Sequence, residues 1–192
     1  MYPLLLCSIA SLAIFLERLW ALRRSRVVPR DFLIEAEENV RQRRIVETVT
    51  LCKKNDSSVA RIMLAALRNF GRSREVIKEV VEEIGRFEAI KLGQYLEALS
   101  TIASISTLLG LLGTISGMVK VFHVVSVGGL GNASLLSSGI SEALYTTVTG
   151  LTIAIPTVVA YKYCLGRANR FITEMEHISL LMLEHLKKED IS

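Results

Sequence analysis

Three histidines, three cysteines and three prolines are all that the 192 residues contain, and aromatic side chains make up only 6%. The cysteines (Cys7, Cys52 and Cys164) are odd in number and far apart, so they offer neither a zinc spacing nor a disulfide framework. They read as small hydrophobes in a reducing or lipid setting. His123, His177 and His185 have no metal-ligand spacing. No Ser-His-Asp or Cys-His set shares one depth in the apolar stretches, and the paired aspartates of an intramembrane protease are missing. Enzyme and metal-centre readings fail on this inventory, and no cofactor is expected. The sparse aromatics are not interleaved with the basic residues, as a nucleic-acid stacking platform would require.

Charge is scarce in the places that matter. From Leu99 to Ser141 the one charged residue is Lys120, and from Ala143 to Tyr161 there is none. Apolar stretches of more than ~18 residues without charge read as membrane spans. They exclude a soluble, collagen-like or disordered chain. A shorter apolar run, Met1 to Leu16, covers only ~24 Å against a hydrocarbon core of ~30 Å. It lacks a basic segment before it and a small-residue cleavage site after it, so it does not read as a secretory signal. It fits a tilted span, a locally thinned bilayer, or a span whose first part lies upstream. Arg18, Arg23, Arg24 and Arg26 follow it, and Lys162, Arg167 and Arg170 follow the last apolar stretch. Positive charge on these flanks places both in the cytoplasm and the N-terminus outside. Trp20 and Tyr161 stand at span ends, where amphipathic rings belong.

The segment between the first two spans reads as helical. Pro29 with Asp31 and Glu35 marks a helix start. An amphipathic pattern from Phe32 to Phe70 is split by a turn or cap at Asn55 to Ser58. Gly71 with Ser73 marks a stop and restart. Ile77, Val80, Ile84 and Phe87 then recur at helical spacing, with Glu88 among the residues filling the other faces. No turn signal separates this pattern from the apolar stretch, so one helix of about 50 residues is expected from Ser73 to Val125. Gly128 to Asn132 reads as a plain outer turn, because no Lys-Ser/Thr follows to complete a phosphate loop. The fold class is an all-α membrane protein of three transmembrane helices, the second and third extending into a helical cytoplasmic domain. The expected boundaries are a first span at 1–16, a cytoplasmic helical domain at 17–98, a second span at 99–125, a periplasmic loop at 126–137, a third span at 138–165 and a cytoplasmic C-terminal helix at 166–192.

Within the spans, Ser106, Gly110, Gly113 and Gly117 lie near one helical face. Small residues there let helices approach closely in lipid, where hydrophobicity gives no pairing force. Thr107, Thr114 and Ser116 either bond the backbone one turn back or line a wet path. Glu142 is the one acid between Glu97 and Glu174. A carboxyl at membrane depth faces a protein interior or a water-filled cavity. The other reading is an outer interfacial group, solvated or paired with Lys120. Thr146 and Thr149 share the stripe of Glu142, and Thr147 lies roughly 140° around from it. Pro156 is expected to bend the lower part of this span.

Met1-Tyr2-Pro3-Leu4, Glu17-Arg18-Leu19, Val28-Pro29-Arg30-Asp31-Phe32, Gly110-Leu111-Leu112-Gly113-Thr114 and Gly139-Ile140-Ser141-Glu142-Ala143-Leu144 together resemble the MotA/TolQ/ExbB proton channel family, in its ExbB and TolQ branch. The resemblance covers nearly the whole chain. It implies a multi-pass protein of the bacterial inner membrane, with its N-terminus periplasmic and its C-terminus cytoplasmic. It implies a homopentamer around the single-span helices of an ExbD/TolR-type partner, and a TonB- or TolA-type energy transducer served by the proton-motive force. The lipid bilayer is its setting, and nucleic acid is not a partner. The family's pore threonines fall on Thr114 and Thr147, and its membrane glutamate falls on Glu142. Two positions depart from the pattern. Ser106-Thr107 stands where the family often has Ala-Pro, and Lys120 is unusual. A flagellar-type stator relative is the runner-up, but it has four spans. A membrane scaffold with no ion path is the reading from another class.

Overall fold

The computed structural model describes residues 2–128 and 133–188, which form helices and short turns without a strand among them. The helices are α1 (Tyr2–Ala21), α2 (Arg24–Val27), α3 (Arg30–Arg41), α4 (Ile45–Lys54), α5 (Ser58–Arg68), α6 (Arg74–Gly93), α7 (Leu96–Gly128) and α8 (Ala133–Lys188). Three stretches, within α1, α7 and α8, are long and apolar enough to cross a membrane. The protein is therefore an all-α membrane protein. The expected turn at 128–132 lies, but for Gly128, outside the described residues, and so do the side chains of Met182, His185 and Leu186.

The chain forms two compact units, residues 1–18 with 95–163 and residues 19–94 with 164–192. In the first unit, α1 buries one seven-residue stripe, Leu4, Ser11 and Arg18. Its remaining faces leave Leu5, Leu6, Ile9, Leu12 and Leu16 more than half exposed. α1 runs on past Leu16 to Ala21, and its 20 residues give ~30 Å, enough for the hydrocarbon core. α7 and α8 show the same outward apolar character at Leu108, Leu112, Ile115, Leu144, Val148 and Ile155. Apolar surface on this scale has no place in water and marks contact with lipid or with other helices.

The second unit is built on α5. Val59, Ala60, Ile62, Met63, Ala66 and Leu67 are all buried there. Ser57 caps α5 by accepting a hydrogen bond from the Ala60 N–H, and Ser73 caps α6 by accepting one from Val76. Asn55 Oδ1 accepts from the Ser57 N–H at 2.9 Å and shapes the intervening turn. Cys52 and Cys164 are buried, and burial pushes the Cys52 thiol up to about 11, which leaves it inert.

Four expectations are corrected. The 32–70 pattern holds three helices, because Gln42 to Arg44 breaks it with Arg43 at a φ of 57°. The single helix expected from Ser73 to Val125 is interrupted at Gln94-Tyr95, where Tyr95 has a φ of 60° and its ring lies 5.2 Å from the Arg18 guanidinium. A separate C-terminal helix does not form, since α8 continues through Pro156 to Lys188. The buried stripe of α6 runs through Ile77, Val81, Gly85, Glu88 and Leu92, while Phe87 is exposed. Arg61 supplies the physical reason. Its Nε and Nη2 donate to the two Glu88 oxygens at 2.7 Å each, so a carboxylate takes the inward place.

Candidate functional site

α7 carries Ala103, Ser106, Gly110, Gly113, Gly117 and Val121 at steps of three or four residues, which places them on one face. α8 answers with Gly139, Ala143, Thr146, Thr147, Gly150 and Ala154. The two faces meet antiparallel. A Cβ added at Gly150 would lie 2.7 Å from the Ser106 carbonyl oxygen and 2.9 Å from the Gly110 Cα. One at Gly113 would lie 2.5 Å from the Thr146 Cβ, and one at Gly117 would lie 2.6 Å from the Ala143 Cβ. One at Gly139 would lie 2.5 Å from Val121 Cγ2. The backbones are therefore as close as glycine permits, and dispersion between them acts at short range. The α8 half of this seam escaped the sequence reading, although Gly139, Ala143, Gly150 and Ala154 repeat at four and seven residues. Threonines between them disguise it.

Hydroxyls stud this helix pair. Thr147 Oγ1 donates across to the Gly110 carbonyl at 2.9 Å, while Thr114 Oγ1 donates to its own helix at the Leu111 carbonyl, 2.7 Å away. The two acceptors are consecutive residues of α7, so the two threonines come from different helices to one level of the hairpin. Ser106 is fully buried and donates to Ile102 at 2.8 Å. Thr146 donates to Ala143 and Thr149 to Tyr145, each at 2.7 Å. Thr146 fills the space over Gly113.

Glu142 lies on α8 one turn before this level. Its Oε1 is 3.6 Å from Lys120 Nζ on α7, and both side chains point out of the hairpin with 65% of their surface exposed. Of the candidate ion-path residues, then, Thr114 and Thr147 are brought to neighbouring carbonyls, and Glu142 is partnered by Lys120. A threonine hydroxyl that has given its hydrogen to a carbonyl keeps lone pairs for accepting another hydrogen bond. Thr114 and Thr147 can thus receive a proton donor without carrying charge themselves. Among the described residues no group of three or more His, Cys, Asp or Glu stands close enough to hold a metal ion.

The profile of the MotA/TolQ/ExbB proton channel family matches residues 54–177, which include α5 to α7 and most of α8. An ExbB-like biopolymer transport protein of Synechocystis sp. is 34% identical over 170 residues, covering 84% of this chain and 65% of the relative. A second ExbB-like protein of Synechocystis sp. is 36% identical over 165 residues, covering 82% of this chain and 76% of the relative. The Tol-Pal system protein TolQ of Haemophilus influenzae is 32% identical over 119 residues, 56% of this chain and 52% of the relative. The chain thus spans between about half and three quarters of the length of these relatives. It belongs to the MotA/TolQ/ExbB proton channel family, in the ExbB/TolQ branch.

Proposed function

We propose that the chain is the channel-forming subunit of a motor in the bacterial inner membrane, driven by the proton-motive force. It works with a single-span partner of the ExbD/TolR type, which in turn acts on a TonB- or TolA-type transducer. α1, α7 and α8 cross the membrane with the N-terminus periplasmic and the C-terminus cytoplasmic, an orientation supported by the arginine-rich run that follows the apolar part of α1. Several copies, five by analogy with the family, surround the partner's helices.

One observation carries this reading. Thr114 and Thr147 spend their donor hydrogens on the Leu111 and Gly110 carbonyls, so toward a third group they act as acceptors. Such a pair binds a protonated carboxyl better than a carboxylate. No aspartate occurs between Asp56 and Asp190, and Glu142, the one acid between Glu97 and Glu174, is partnered by Lys120, so the proton travels on a carboxyl of the partner. The threonines mark where that carboxyl is held while neutral. A charge crossing the membrane yields ~2.3 kcal/mol per 100 mV, and this energy does work only if the path stays closed without the carrier.

The test is proton uptake into liposomes under an imposed potential. Chain and partner together should take up protons. The chain alone should stay at the background of empty liposomes. Uptake at background with both present would favour a scaffold without an ion path.

A further inference from the structure

Lys120 is the residue of the α7–α8 hairpin to which the proposed function gives no task. It is the one Lys or Arg between Lys91 and Lys162, and Glu142 is the one Asp or Glu between Glu97 and Glu174. The apolar stretches of α7 (98–128) and of α8 (133–161) therefore each carry one charge, of opposite sign. The packing then decides where those charges go. Gly117 against Ala143 and Val121 against Gly139 fix the antiparallel register on either side, and that register sets Lys120 Nζ 3.6 Å from Glu142 Oε1. Neither side chain sits in the seam, for each keeps 65% of its surface exposed on the outer side of the hairpin. A lone charge at membrane depth is costly, and pairing across two helices relieves both members at once.

We infer that Lys120 and Glu142 act as one charge-balanced unit on the wall of the ion path, with Lys120 as the counter-ion that positions the Glu142 carboxylate and cancels its charge. This inference rests on the proposal that the hairpin borders such a path. Its consequence concerns what a Glu142 substitution does. Glu142→Gln leaves Lys120 as an unpaired fixed positive charge, which repels an approaching cation. Lys120→Met leaves an unpaired carboxylate, which holds a cation back. The harm in each case comes from the partner left behind, so removing both restores neutrality.

The test uses the full chain reconstituted with its partner in liposomes, as wild type, Lys120→Met, Glu142→Gln, the double variant and Lys120→Arg. Each neutralising single variant should lower proton uptake by about tenfold or more. The double variant should recover to within about threefold of wild type, and Lys120→Arg should retain uptake because the ion pair is kept. A double variant as slow as Glu142→Gln would overturn the inference and make Glu142 itself the group that exchanges protons. Full uptake in Lys120→Met would overturn it equally. Thermal melts of the full chain in detergent decide on the pair without any flux. A double variant that melts closer to wild type than the two single losses sum to supports the pair, and additive losses refute it. Absence of uptake in the wild-type complex would sink the proposed function and the ion-path half of this inference, while the melts still decide whether the two residues act as a unit.

Discussion

Glu88 is 2% exposed, yet it keeps a carboxylate inside the second unit. Burial alone would raise its pKa. Hydrogen bonds from Arg61 and Ser58, the charge of Arg61 and a bond from Lys91 outweigh this and hold it below the ordinary glutamate value. The stabilisation is fully present above that ordinary value and is lost as the pH falls through the lower value of the folded state. Glu88→Ala should therefore cost the unit about 1–3 kcal/mol at neutral pH, since Arg61 loses the Glu88 carboxylate but keeps Asp56 and stays partly solvated. Thermal melts of the full chain should show a constant gap between variant and wild type down to the ordinary glutamate range, narrowing below it. Glu176 tilts the other way. Burial first, then the charge of Glu82, raises its pKa, so it costs stability above that raised value and stops doing so as the pH falls through it. The inward place of Glu88 was not legible in the sequence. Spacing alone favoured Phe87, and only the tertiary position of Arg61 reverses the choice.

Helix against helix, the α7–α8 seam is a matter of ångströms. A methyl at Gly110 would meet the Gly150 and Thr147 Cα atoms at 3.3 Å, a contact that small shifts relieve. A methyl at Gly150 would meet the Ser106 carbonyl oxygen at 2.7 Å and the Gly110 Cα at 2.9 Å. Both are backbone, so the helices must separate. Gly150→Ala should consequently destabilise the hairpin more than Gly110→Ala. Disulfide formation between cysteines placed at Val121 and Gly139 should fall further in Gly150→Ala. Equal cross-linking in the two variants would contradict this ranking. The α7 stripe was readable because glycines in an apolar run stand out. Its partner on α8 was not, because threonines share that face, Thr146 bonding its own backbone and Thr147 reaching across to Gly110. The turns at Arg43 and Tyr95 were also hidden, since neither uses the glycine or proline that announces a break. Tyr95 keeps its left-handed backbone beside Arg18, a residue far away in sequence.

For the molecule as a whole, the sequence spoke most clearly through its long uncharged stretches, which predicted three membrane-crossing helices, and through two short motifs that pointed to the family. What each residue does in an assembled complex depends on neighbouring copies and a partner helix, and no pattern within one chain encodes their positions. In the proposed complex the hydroxyls of Thr114 and Thr147 receive a partner's protonated carboxyl. Thr→Val is nearly isosteric and removes donor and acceptor together. It sacrifices one interhelical bond at Thr147, worth about 1 kcal/mol, so the fold and partner binding should survive. The decisive measurement is proton uptake into liposomes holding the full complex with Thr114→Val and Thr147→Val combined, alongside co-purification of the partner. The double variant should assemble like wild type but take up protons at the background of the chain alone; uptake at the wild-type rate would rule out a role for the two hydroxyls in the ion path.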